Sequence, residues 1–224
     1  MTEPDPLQEC RDKLVMAALA HVPFDGWSRL TLREAAKDAG FDVTMAERAF
    51  PGGPVAAVEH FAALADRRLA EEATGADLEG LRLSERIVWL VKLRLEPWVG
   101  HREAIRRAIS LLSLPMNTAA ALRMTWRTAD ALWYATGDAS ADFSFYTKRA
   151  MLAVVYASTL LYWLEDASPG FADSWAFLNR RVADATKLTK LRVRASQRLQ
   201  HLPNPFDLLS GKRPGRRRFA VRRG

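Results

Sequence analysis

The 224 residues are 49% hydrophobic and carry a formal net charge of +7, enough apolar material for one helical domain of ordinary size or two small ones. A single cysteine, Cys10, excludes an internal disulfide and fits a reducing compartment, and the acidic start MTEPDPLQEC lacks the apolar segment of a secretory signal. The charge balance is −5 over residues 1–72, +1 over 73–180 and +11 over 181–224, so the basic character is that of a C-terminal tail suited to polyanions.

Leu14, Val15, Ala18 and Leu19 at helical spacing predict a first helix from Leu7 to Ala20, broken by Pro23, Asp25 and Gly26. Trp27 follows as an expected core residue. Thr31-Leu32-Arg33-Glu34 reads as a capping box opening a second helix that ends at Gly40. A short helix over Val43–Phe50, a turn at Pro51-Gly52-Gly53 and a helix starting at Pro54 come next. Ala36 and Gly40, with a second short helix beyond, resemble the helix-turn-helix of TetR-type regulators over about 60 residues. DNA affinity rests on Lys and Arg meeting phosphates. The segment Phe41–Arg48 has one basic and two acidic residues, and Glu47 and Gly53 stand where such regulators often carry phosphate-binding Tyr and Lys. The expectation is a structural relic without DNA binding.

Residues 73–80 read as a loop. Beyond it, Ile87, Leu90, Val91 and Leu95 mark a helix that opens near Ser84, its apolar face widened by Trp89 and Leu93, and bent or ended by Pro97. A helix over Trp98–Leu114 is stopped by Pro115, and an amphipathic one over Asn117–Ala135 carries Leu122, Trp126, Ala129 and Trp133. The stretch 136–170 is the centre of the chain: a polar turn in which Asp142 can cap a helix, then an almost unbroken apolar run from Ala150 to Leu164. Fifteen residues with Ser, Thr and Tyr among them are too short and too polar for a membrane span. They read as a central bundle helix, which can also line a cavity. Trp89, Trp126, Trp133 and Trp163 lie on apolar faces, where indoles fill a core or wall a pocket. Ser168-Pro169 fits the start of a last helix, with Phe171, Trp175, Leu178 and Val182 inward. The tail joins an apolar element, Leu202, Phe206, Leu208 and Leu209, to Lys212, Arg213, Arg216, Arg217 and Arg218. Apolar side chains beside clustered cations suit an anionic bilayer surface.

No catalytic constellation emerges. The histidines never form His-x-x-x-His or Glu-x-x-His, and phosphate loops and nucleophile elbows are absent from the sequence. Neither a metal nor a cofactor is expected. The pair Glu165-Asp166, at a helix C-terminus, is expected to be solvated or paired with an Arg.

The run DASADFSFYTKRAMLAVVYASTLLYWLEDASPGFADSWAFLNRR, with Asp142-x-x-x-Tyr146-Thr147-Lys148-Arg149 and Asp166-x-Ser168-Pro169-x-Phe171 within it, resembles the signature of the ubiquinone-biosynthesis lipid-binding accessory proteins, the Coq nine family. A weaker likeness extends over roughly Leu7–Leu188. The resemblance implies an all-α, TetR-like bundle: a helix-turn-helix-like module (1–72), a larger C-terminal lipid-binding bundle (73–190) and a basic amphipathic tail (191–224). It implies no enzymatic activity but the binding of an isoprenoid or quinone lipid, offered to a late-step ubiquinone-pathway hydroxylase from the cytoplasm at the inner-membrane surface. The pocket residues on this reading are Trp89, Leu93, Ile109, Leu112, Trp126, Leu152, Val155, Thr159, Tyr162 and Trp163. The partner-docking patch matches Asp142, Phe145, Tyr146, Lys148 and Arg149, with Phe145 standing where relatives often have Trp. Oligomeric state stays open, a homodimer included. The alternative on the same fold is a ligand-responsive transcription regulator.

Overall fold

The computed structural model describes residues 6–78, 80–137 and 145–200, the side chains of Phe145 and of residues 189–200 excepted. Every regular element among them is helical: α1 (Pro6–Asp25), α2 (Arg29–Asp38), α3 (Thr44–Ala49), α4 (Pro54–Thr74), α5 (Leu83–Leu95), α6 (Arg102–Leu112), α7 (Thr118–Ala135), α8 (Phe145–Glu165) and α9 (Ala172–Gln200), with 3-10 turns at Glu96–His101, Pro115–Asn117 and Pro169–Phe171. One compact unit runs to Ala185, and Thr186 onward forms a second. None of the described helices is long and apolar enough to cross a membrane.

Three expected boundaries move. α1 continues through Pro23 to Asp25, because a proline in the last turn forfeits one bond while Gly26 N–H still reaches the Val22 carbonyl at 2.9 Å. α2 opens one turn earlier than the expected capping box. Ser28 is the cap, its Oγ accepting from Thr31 N–H at 3.0 Å. Thr31 instead donates its hydroxyl to the Gly26 carbonyl at 2.7 Å, and Glu34 accepts from Lys37 at 2.8 Å. The expected helix over Trp98–Leu114 is two elements, since Pro97 at the head of a 3-10 turn delays regular α6 until Arg102. Gly40 does end the second helical stretch, at φ +76 where a side chain would be strained.

The core runs through the whole first unit. α1 buries Leu14, Val15, Ala18, Leu19 and Val22 against α2, α4 and α6. Trp27 locks the small module to the larger bundle: its buried indole N–H donates to the Ala104 carbonyl of α6 at 2.9 Å, and its ring lies 6.2 Å from that of Phe61 on α4. α4 packs along α7, and α7 packs along α8. α8 buries Leu152, Val155, Tyr156, Thr159, Trp163 and Leu164, the i, i+3, i+4 spacing of one face. The joint after α8 is held by cations. Arg102 Nη2 donates to the carbonyls of Trp163, Leu164 and Asp166 at 2.6, 2.5 and 2.8 Å, and Arg106 pairs with Glu165 at 3.1 Å. Positive charge at the C-terminal end of a helix meets its unsatisfied carbonyls and its dipole.

Candidate functional site

A cavity of about 290 Å³ opens inside the larger bundle, walled by five helices. α4 contributes Val58, Phe61 and Ala62; α5, Arg94 and Leu95; α6, Ile105, Ala108, Ile109 and Leu112. α7 adds Ala121, Met124, Thr125 and Thr128, and α8 adds Tyr156, Ala157, Leu160 and Leu161. Its mouth is marked by exposed Ser113 and by Leu161, which is 54% exposed. The wall is apolar, as a site for a hydrocarbon ligand requires.

One end of the wall is polar. Arg94 is buried, with Nε donating to Asp66 Oδ1 at 2.8 Å and Nη2 to the Ala62 carbonyl at 3.2 Å. The Thr128 hydroxyl donates to the same carboxylate at 3.1 Å. Burial opposes the Arg94 charge, but the neighbouring Tyr156 and Asp66 outweigh it and hold its pKa above the ordinary value. Burial also pushes the Tyr156 phenol above its ordinary pKa, so at neutral pH it is a neutral hydroxyl. A buried charge persists only when paired and hydrogen-bonded, and Asp66 supplies both conditions here.

Of the ten expected pocket residues, Ile109 and Leu112 line this cavity. The other eight do not. Leu152, Val155, Thr159 and Trp163 are buried on α8, but the cavity takes Tyr156, Ala157, Leu160 and Leu161 from that helix instead. Trp163 lies beneath the Arg102 guanidinium, 5.4 Å from ring to charge. Tyr162 stacks on Phe177 at 4.7 Å with the rings nearly parallel. Trp126 lies on the outer side of α7, stacked with Tyr146 at 6.3 Å. Trp89 and Leu93 are half-buried against the core on α5. Three polar lining residues, Arg94, Thr128 and Tyr156, and Asp66 behind them escaped sequence reasoning. A signal existed for Arg94, which falls at helical spacing on the apolar face of Leu90 and Val91, where an unpaired charge would not be tolerated.

The expected docking patch divides. Tyr146 is 70% exposed at the start of α8. Lys148 sits over the Trp133 ring at 5.4 Å. Arg149 is 1% exposed, paired with Asp130 of α7 and packed over the Tyr134 ring at 5.2 Å, so its guanidinium ties α8 to α7 instead of facing solvent. Asp142 and the Phe145 side chain lie outside the described residues, as do Leu202, Phe206, Leu208, Leu209, Lys212, Arg213, Arg216, Arg217 and Arg218.

These features define an all-α protein of TetR-like fold with an apolar, polar-ended cavity in its larger bundle. The fold matches the TetR transcriptional regulator from Nitrosomonas europaea with a TM-score of 0.63 at 22% identity, over 81% of this chain and 99% of that one. Residues 118–189, which span α7, α8 and the first part of α9, match the COQ9 family model. The chain is 34% identical over 182 residues to the mitochondrial ubiquinone biosynthesis protein COQ9 of Drosophila melanogaster, covering 80% of this chain and 56% of that one. It is 32% identical over 188 residues to the Homo sapiens protein of the same name, covering 81% and 59%. The chain is thus similar to COQ9 proteins over most of its own length, and it spans somewhat under two thirds of the length of these two relatives.

Proposed function

We propose that this protein is a non-enzymatic, lipid-binding accessory protein of ubiquinone biosynthesis that presents a hydrophobic quinone intermediate to a late-step hydroxylase at the membrane. The observation that carries the reading is the apolar cavity, whose α7 and α8 walls fall inside the stretch that matches COQ9. The relatives' role in ubiquinone biosynthesis, by their names, supplies the pathway. The physical need is clear. A polyprenyl chain resists leaving the bilayer by about 0.8 kcal/mol for each CH₂ exposed to water, and a cavity that receives it lowers that cost. On this reading the basic tail from Leu202 to Arg218 meets anionic headgroups, and the exposed aromatic start of α8 around Tyr146 receives the partner enzyme. The deciding experiment is the quinone profile of a strain lacking the protein. Less ubiquinone with build-up of a late intermediate missing one ring hydroxyl is expected; an unchanged profile would overturn the proposal.

The TetR-like fold favours a second reading, a ligand-responsive regulator. Charge speaks against it. On the short helix α3, Glu47 pairs with Arg33 at 2.5 Å, and that pairing holds its carboxylate ionised. Asp42, just before that helix, accepts from Thr44 N–H at 2.8 Å. A recognition helix with these carboxylates repels phosphates. Retention of one specific duplex by the full chain against excess competitor DNA would favour the regulator.

A further inference from the structure

The polar end of the cavity has more hydrogen-bonding capacity than the protein uses. Asp66 accepts from Arg94 and Thr128, and the Thr128 proton is committed to it. Arg94 spends Nε and Nη2 on Asp66 and Ala62. Among the described residues, no hydrogen bond reaches Arg94 Nη1 or the Tyr156 hydroxyl, and both side chains line the cavity. What is left over is therefore two donor groups at one end of an apolar chamber. Donors in such a place favour a ligand that brings an acceptor oxygen over a pure hydrocarbon, because each hydrogen bond made adds to the apolar contact.

Charge narrows the choice. Arg94 is already neutralised by Asp66 at 2.8 Å. A carboxylate entering the cavity would add a net negative charge at a site whose only cation is taken, and its desolvation would not be repaid in full. A carbonyl oxygen brings no such charge. The volume also sets a limit: about 290 Å³ corresponds to about ten water volumes of ~30 Å³ each. That admits a substituted ring and the start of a chain, with the rest leaving past Leu161 and Ser113.

Resting on the lipid-binding reading above, we propose that Tyr156 and Arg94 form an acceptor-recognition subsite that takes the neutral carbonyl oxygen of a quinone-type head and excludes free fatty-acid carboxylates. The ligand then enters head first, with its tail toward the mouth. The head is sheltered inside the bundle, and presentation to an enzyme means release from this subsite, not reaction within the cavity.

The test uses the purified, delipidated full-length chain and three probes of matched tail length: a decyl-substituted benzoquinone, decylbenzene and a saturated fatty acid. Calorimetric titration of the wild type should rank the quinone above decylbenzene and above the fatty acid. Tyr156→Phe should weaken the quinone about fivefold to tenfold, the loss of one hydrogen bond, and leave decylbenzene unchanged. Equal binding of quinone and decylbenzene, preference for the fatty acid, or an unaltered quinone affinity in Y156F would each overturn the subsite while leaving lipid binding standing. Absence of binding by all three probes would overturn the lipid-binding reading itself. The ranking needs only the wild type, so it decides the matter even should Y156F fail to fold.

Discussion

His60 illustrates how a single side chain on the inner face of a helix acquires a consequence for the whole domain. It sits on α4 with its ring against Phe50 at 5.8 Å, and its Nε2 lies 2.6 Å from Asp12 Oδ1, a carboxylate that also accepts from Arg67 at 2.5 Å. Burial depresses its pKa below the ordinary 6.5, and the attraction of Asp12 offsets this only in part, with Arg67 and Arg11 adding to the depression. The sign follows by linkage. As pH falls through 6.5 the unfolded chain takes up the proton before the folded one does, so stability drops toward acid and levels off below the folded-state pKa. Denaturant melts between about pH 7.5 and 5.5 should show a steeper loss for the wild type than for His60→Gln. Parallel curves would mean that the ring is no more perturbed in the fold than out of it. Arg94 shows the same principle with the opposite result, a buried charge retained because Asp66 and Thr128 were placed to meet it.

The joint between α8 and α9 shows what a helix end demands. Asp166 is buried there, accepting from Ser168 N–H at 2.7 Å and from the backbone and hydroxyl of Ser174 at 2.8 and 2.5 Å. Burial alone would raise its pKa, but the Ser174 and Ser168 hydrogen bonds prevail and hold it well below the ordinary carboxylate value. Next to it Phe171 adopts φ +58, an unfavourable conformation for a bulky residue, with its ring held under Arg102 at 5.0 Å and near Trp163 at 5.8 Å. Asp166→Ala should cost roughly 1–3 kcal/mol at neutral pH by leaving buried donors unmet. Because the folded-state pKa is depressed, the wild-type advantage should fade as pH falls below 3.8. A constant difference down to acid pH in chemical denaturation would show that the carboxylate charge plays no part. This joint was legible in the sequence as a helix stop, a restart at Ser168-Pro169 and a carboxylate pair either solvated or met by an Arg; Ser168 does precede the Pro169 turn, and Glu165 pairs with Arg106. Helix existence was legible throughout, because apolar periodicity, prolines and glycines punctuate the chain. The cavity face of α8 was not. A helix apolar nearly all round gives periodicity no direction, and moving from Val155 and Thr159 to Tyr156 and Leu160 is a rotation of one residue, about 100°. At Arg149, too, the charge reads as surface until Asp130 on another helix is known to meet it.

At the scale of the molecule, charge and cavity are unevenly distributed along the chain. The first module keeps the helix-turn-helix outline while its charge balance is −5 over residues 1–72, so the surface that in a regulator meets phosphates is here electrostatically unsuited to them. Trp27 still couples that module to α6, and α6 lines the cavity with Ile105, Ala108, Ile109 and Leu112. The module thus packs behind the α6 wall of the cavity. The consequence of the cavity reading can be tested without disturbing that support. Ala157 lines the cavity from α8 and is only partly buried, so a larger side chain there has room to enter the chamber instead of the packed core. An indole at this position would occupy much of a space of about 290 Å³. Ala157→Trp should therefore abolish co-purification of lipid and lower ubiquinone in cells that carry it as their sole copy. Overpacking should cost no more than about 1–3 kcal/mol, leaving helix content and expression near wild type. If the variant accumulates normally and the cells keep a normal quinone profile, the chamber is an unused packing defect, and the protein's contribution to the pathway must come from its surfaces alone.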